Sequence, residues 1–122
     1  MAKYVDGYLI AVPAEKLADY KRLAAKAAKV FIEHGALEVV ECASDDLMEG
    51  KNVSFGKAVK SKDGEIVIFS WISFKSKRDR DRVNKLVESD PRMAKMIEGG
   101  IPFDEKRMIY GGFKTIVDKS SE

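Results

Sequence analysis

The sequence predicts an α+β fold: a ferredoxin-like βαββαβ unit with a four-stranded antiparallel sheet, pairing into a dimeric α/β barrel. Three observations lead there. Two strand-like runs, "YVDGYLIAVP" and "EIVIFSWISF", are apolar on both faces. Each is followed by a stretch with helical spacing of its apolar residues. The resulting order, strand, helix, strand, strand, helix, strand, is that of the split βαβ motif.

The first strand is expected over about Tyr4 to Val12, rich in β-branched and aromatic residues and closed by Pro13. Pro13 starts a helix in which Leu17, Tyr20, Ala24, Ala27, Ala28 and Phe31 form one apolar stripe. Lys16, Asp19, Lys26 and Lys29 occupy the solvated side, and Gly35 is the expected stop. The second strand follows over residues 36–46, ending near Ser44. Residues 47–62, polar and rich in glycine, read as a protruding loop or irregular hairpin arm, with Val53, Phe55, Ala58 and Val59 supplying short strand pieces. Asp63-Gly64 marks a turn into the third strand, 65–74. Ser76, with Asp79 three residues on, opens a second helix as in a capping box. Val83, Leu86 and Val87 form its narrow stripe, while "DRDR" solvates the rest. Pro91 ends this helix, "RMAKMIEGG" forms one more short turn, and the last strand covers about Arg107 to Val117 before a polar tail, 118–122.

Helices on one side leave the other face of the sheet bare, although the first and third strands are apolar on that face as well. A second copy of the same sheet would cover it through a self-complementary interface, so a homodimer is expected.

At 122 residues the chain fits one domain. Its 22 basic and 20 acidic side chains leave a net charge of +2, which gives no strong pull towards nucleic acid or anionic lipid. The run "KSKRDRDR" alternates in sign and ranks nucleic-acid binding last. There is no apolar run near the length of a membrane span and no leader pattern. A single cysteine, Cys42, excludes an internal disulfide and suits a reducing cytosol. One histidine and one cysteine do not make a zinc site, and no cofactor motif is present.

"YVDGYLIAVP", "IVIFSW", "DPRM" and "PFDEKRMIYGGF" resemble the YbaA-like family of small uncharacterised bacterial proteins. The resemblance covers nearly the whole chain, departing most in 47–62. That family is similar to the dimeric α/β-barrel superfamily, which implies a ferredoxin-like protomer and a homodimer. It implies no particular activity.

Six residues are candidates for a pocket: Asp6, Trp71, Arg107, Tyr110, Gly111 and Gly112. Asp6 interrupts an apolar strand between Tyr4 and Tyr8, where a carboxylate needs a partner or takes a raised pKa. Lys114 on the last strand is one candidate partner, and a structural ion pair is the plain reading. Arg107 suits a carboxylate or phosphate, or the surface. Trp71 and Tyr110 supply aromatic area, by default to a core. Gly111 and Gly112 break a strand, as a bulge or close-packing site does, or as room left for a ligand. His34 reads as a helix C-terminal residue and Cys42 as a buried strand residue. Two function classes remain open. One is a barrel that binds or converts a small organic molecule between sheet and helices, and the other is a dimerisation module without such chemistry.

Overall fold

The computed structural model describes residues 3–48 and 50–121. Met1, Ala2, Glu49 of the 47–62 loop and Glu122 of the polar tail lie outside the described residues. Four strands, β1 (Tyr4–Pro13), β2 (Glu38–Ala43), β3 (Glu65–Phe74) and β4 (Ile109–Lys114), form one sheet. Its order is β2-β3-β1-β4, and every neighbouring pair is antiparallel. This is the ferredoxin-like arrangement, with the two doubly apolar strands at its centre. Of the four strands, β1 and β3 carry apolar residues at odd and even positions alike, as central strands do.

The long helix α1 (Leu17–His34) follows a single 3-10 turn after Pro13 and ends at Gly35, whose φ of +120° favours glycine. Helix α3 (Lys77–Glu88) is capped by the Ser76 hydroxyl, which accepts from the Asp79 amide. These helices pack on one face of the sheet. One core cluster joins Val30, Ile72, Phe74, Val83 and Val87, and a second joins Ile10, Val12, Tyr20 and Ile68. Leu86, expected in the stripe of α3, is exposed instead, because the face of α3 turned to the sheet carries Val83 and Val87 and leaves Leu86 to one side.

Three segments differ from expectation. Residues 91–98 form a full helix, α4 (Pro91–Glu98), because Asp90 caps it and Pro91 occupies its first position. Val53, Phe55, Ala58 and Val59 add no strand: residues 55–58 are a four-residue helix, α2 (Phe55–Ala58), capped by Ser54. Its position is set by Val59, buried against Ala11 and Val67 on the side of the sheet away from α1 and α3. The last strand is shorter than the expected 107–117, since Asp104 caps a 3-10 turn over Glu105–Arg107 and delays its start. Among the described residues, no helix is long and apolar enough to cross a membrane.

Candidate functional site

The register places a row of polar side chains across the helix-covered face. Glu41 lies opposite Ser70, Ser70 opposite Tyr8, and Tyr8 opposite Tyr110. At one end of this row the Tyr20 hydroxyl of α1 donates to Glu41 Oε1 at 2.6 Å. Along the row, the Tyr8 and Tyr110 rings stack with centroids 6.0 Å apart. Burial pushes the Tyr8 phenol up to about 12, with the Asp6 charge adding to it. The Tyr20 phenol is also raised, by burial first and then by its bond to Glu41. Burial likewise raises the Glu41 carboxyl, against hydrogen bonds from Tyr20 and Ser70.

A cleft of about 300 Å3 opens at this end, between α1 and β2. Leu17, Ala24, Ala28, Val39 and Ile68 make it largely apolar, Tyr20 and Glu41 give it a polar corner, and Lys21 lines it as well. The alanines of α1 create the space: a larger residue at 24 or 28 would close the gap between helix and edge strand.

The neighbouring row holds Asp6, opposite Ile72 on one side and Gly112 on the other. Asp6 is only 7% exposed. Its partner is not Lys114, which the register sets opposite Tyr4, but Arg80 of α3. Arg80 Nε lies 3.1 Å from Asp6 Oδ1, at an angle that leaves this buried nitrogen without a hydrogen bond. Asn84, one turn further along α3, donates to Asp6 Oδ2 at 3.4 Å. Arg80 also donates to the Tyr4 hydroxyl at 3.0 Å and stands over the Tyr4 ring, 4.8 Å from its centroid. Burial raises the Asp6 carboxyl more than Arg80 and Asn84 lower it.

The six candidate residues do not converge. Asp6, Tyr110 and Gly112 face the helices, whereas Trp71 and Gly111 face the opposite side. Trp71 donates to Glu38 Oε1 at 3.2 Å on that open side. Gly111 is paired with Gly7, and the Phe113 ring lies over both, 3.7 to 3.8 Å from where their Cβ atoms would be. Arg107 is a clamp far from Asp6. Its guanidinium makes two bonds to the Glu65 carboxylate, at 2.8 and 2.7 Å, and others to the Lys60 carbonyl and Asp104. His34 pairs with Asp90, the cap of α4, at 2.8 Å. Cys42, expected to be buried, is exposed, because β2 is an edge strand and residue 42 sits on its open side.

Sequence reasoning missed Arg80, Asn84, Tyr20 and Glu41 as site residues. The signal for the first two was present: Arg80, Val83, Asn84 and Val87 share one face of α3 at three- and four-residue spacing.

Arg107 holds the Glu65 carboxyl well below its usual range, at about 2. A carboxyl with a depressed folded-state pKa stabilises the fold above its unfolded value and loses that contribution as pH falls. Parent protein should therefore lose stability between about pH 4.5 and about pH 2, in part through Glu65. In Arg107→Ala that part of the acid slope should vanish, as chemical denaturation at stepped pH would read. Parallel pH profiles for the two proteins would refute the assignment.

The family model described as "Protein of unknown function (DUF1428)" matches residues 3–105, and the chain belongs to that family. It is 52% identical over 117 residues to "Uncharacterized protein YbaA" of Escherichia coli (strain K12), covering 96% of this chain and 99% of that protein. YbaA of Shigella flexneri matches to the same extent. Among solved structures, the chain is similar to SnoaB, a cofactor-independent oxygenase from Streptomyces nogalater. The TM-score is 0.52 at 13% identity, over 99% of this chain and 97% of that one. A dimeric ferredoxin-like protein from an uncultured marine organism gives 0.50 at 9% identity, over 99% and 100%. These two likenesses show the fold.

Proposed function

For this member of the family, we propose a homodimer built through the open face of the sheet, each protomer binding a small organic molecule in the cleft between α1 and β2. The Tyr20–Glu41 corner of that cleft carries the reading. A carboxylate held by the Tyr20 hydroxyl and set beside apolar walls offers one polar anchor to an otherwise apolar ligand. A compound presenting a hydroxyl, carbonyl or amine to Glu41 fits the volume and the lining. The open face supports the dimer: Phe69, Ile109 and Phe113 are exposed there, beside Val5, Leu9 and Val40. Contiguous apolar patches of that kind mark interfaces.

The same open face favours a second reading, a dimerisation module with no small-molecule chemistry. A thermal-shift screen of small apolar compounds carrying one such polar group separates the two. A ligand held near a hundred times its dissociation constant stabilises the native state by about 2.7 kcal/mol. The expected result is a compound that raises Tm in the parent and does so far less in Glu41→Gln and Tyr20→Phe. An empty screen, or hits indifferent to both substitutions, would overturn the ligand reading. A dimer mass by light scattering in that case would leave the module.

A further inference from the structure

The open face has two levels. At the Ala11–Val67 end it is already covered by the arm carrying α2, with Val59 seated on the sheet. At the other end, around Val5, Gly7, Gly111 and Phe113, the sheet is bare. The arm itself is not closed. Leu47, Met48, Val53 and Phe55 are exposed and, with Leu9 and Ala58, line a groove of about 460 Å3. Beyond β4 the chain carries two more apolar residues, Ile116 and Val117, which are 90% and 77% exposed. They are held away from their own arm: the Thr115 amide donates to the Lys3 carbonyl, and Asp118 pairs with Lys3 at 3.6 Å. This fixes the pair at the bare end, at the far end of β1 from Val59.

We infer that in the dimer Ile116 and Val117 of one protomer fill the arm groove of the other, so that each groove is completed only by its partner. The inference rests on the dimer of the preceding subsection and adds how its two copies are oriented. Two stacked sheets can be related by a two-fold axis along the strands or across them. An axis along the strands sets arm over arm, and the two arms wedge the bare ends apart. An axis across the strands exchanges the ends. Each arm then stands at the level of the partner sheet, just past its bare end, where the partner's residues 115–118 run out. This second stacking sets each arm groove beside the partner's Ile116 and Val117, which the first does not. Both groove and plug are apolar, so their burial together follows from the area they remove from water.

The test uses the full chain in a Cys42→Ser background. Val53→Cys and Val117→Cys together should give a covalent dimer on mild oxidation, at least tenfold faster than either substitution alone. An intramolecular disulfide, seen as a faster-running monomer, or no excess of covalent dimer would overturn the exchange. As a second measurement, removing residues 116–122 should raise the dimer dissociation constant at least tenfold in sedimentation, with circular dichroism unchanged. An unchanged constant refutes the exchange while the dimer itself stands. A monomeric parent refutes both.

Discussion

Gly112→Val should destabilise the protein by about 1–3 kcal/mol, the usual cost of forcing extra atoms into a filled space, whereas Gly111→Ala should be nearly neutral. The two glycines are adjacent in sequence but face opposite sides of β4. A Cβ on Gly112 would run into the Arg80 guanidinium and the Tyr4 ring, reaching 2.7 Å from Tyr4 Cε2. Neither neighbour yields cheaply, since moving Arg80 separates it from Asp6 and moving Tyr4 breaks its contact with Arg80. A Cβ on Gly111 meets only the edge of Phe113, at the ordinary contact distance of 3.8 Å. An aromatic ring lying over strand glycines covers backbone that a side chain would otherwise shield. Denaturation midpoints of Gly111→Ala, Gly112→Ala and Gly112→Val beside the parent decide the point. Equal midpoints for the two alanine variants would mean that Gly112 holds no space for Arg80.

The contrast explains how far the sequence could be read. Periodicity exposed the two central strands, because runs apolar at odd and even positions alike belong in the middle of a sheet. It exposed α1 and the start of α3 through Pro13, Gly35 and Ser76, whose roles depend on local backbone geometry alone. The four-residue α2 was not legible: "SFGKA" is too short for a period, and the burial of Val59 by residues from two distant strands decides its shape. Nor was the start of β4, where Asp104 caps a turn that takes up Arg107, the first residue of the expected strand. The candidate site was half legible. Asp6 stands out in the sequence as a carboxylate in need of a partner, which is a local argument. Its partner is 74 residues away and sat inside "DRDR", a run whose charge pattern suggested solvent. Glu41 and Tyr20 looked like unremarkable members of an edge strand and a helix stripe, and only the register and the alanine-lined gap bring them together.

Arg80→Met should cost about 2–3 kcal/mol at neutral pH, and the loss should shrink in acid. Removing one member of a buried ion pair leaves the other charge uncompensated, at a cost of about 3–5 kcal/mol when both are fully buried. Here the Arg80 side chain keeps 22% of its exposure and Asp6 9%, so solvent screening brings the cost to the bottom of that range and somewhat below it. The sign of the pH dependence follows from Asp6. Its carboxyl is already raised by burial, with Arg80 the main opposing influence. Without Arg80 it rises further. A carboxyl whose folded-state pKa exceeds its unfolded value favours the fold when protonated. That contribution is fully present below the unfolded pKa, near 3.8, and is lost as pH climbs through the folded one. The variant should therefore approach the parent in stability as pH falls from 7 towards 4. Asp6→Asn in the same background removes the stranded charge and should restore much of the loss at pH 7. A deficit that stays constant across this range, or that Asp6→Asn leaves untouched, would show that Arg80 matters for its contact with Tyr4 and not for its charge beside Asp6.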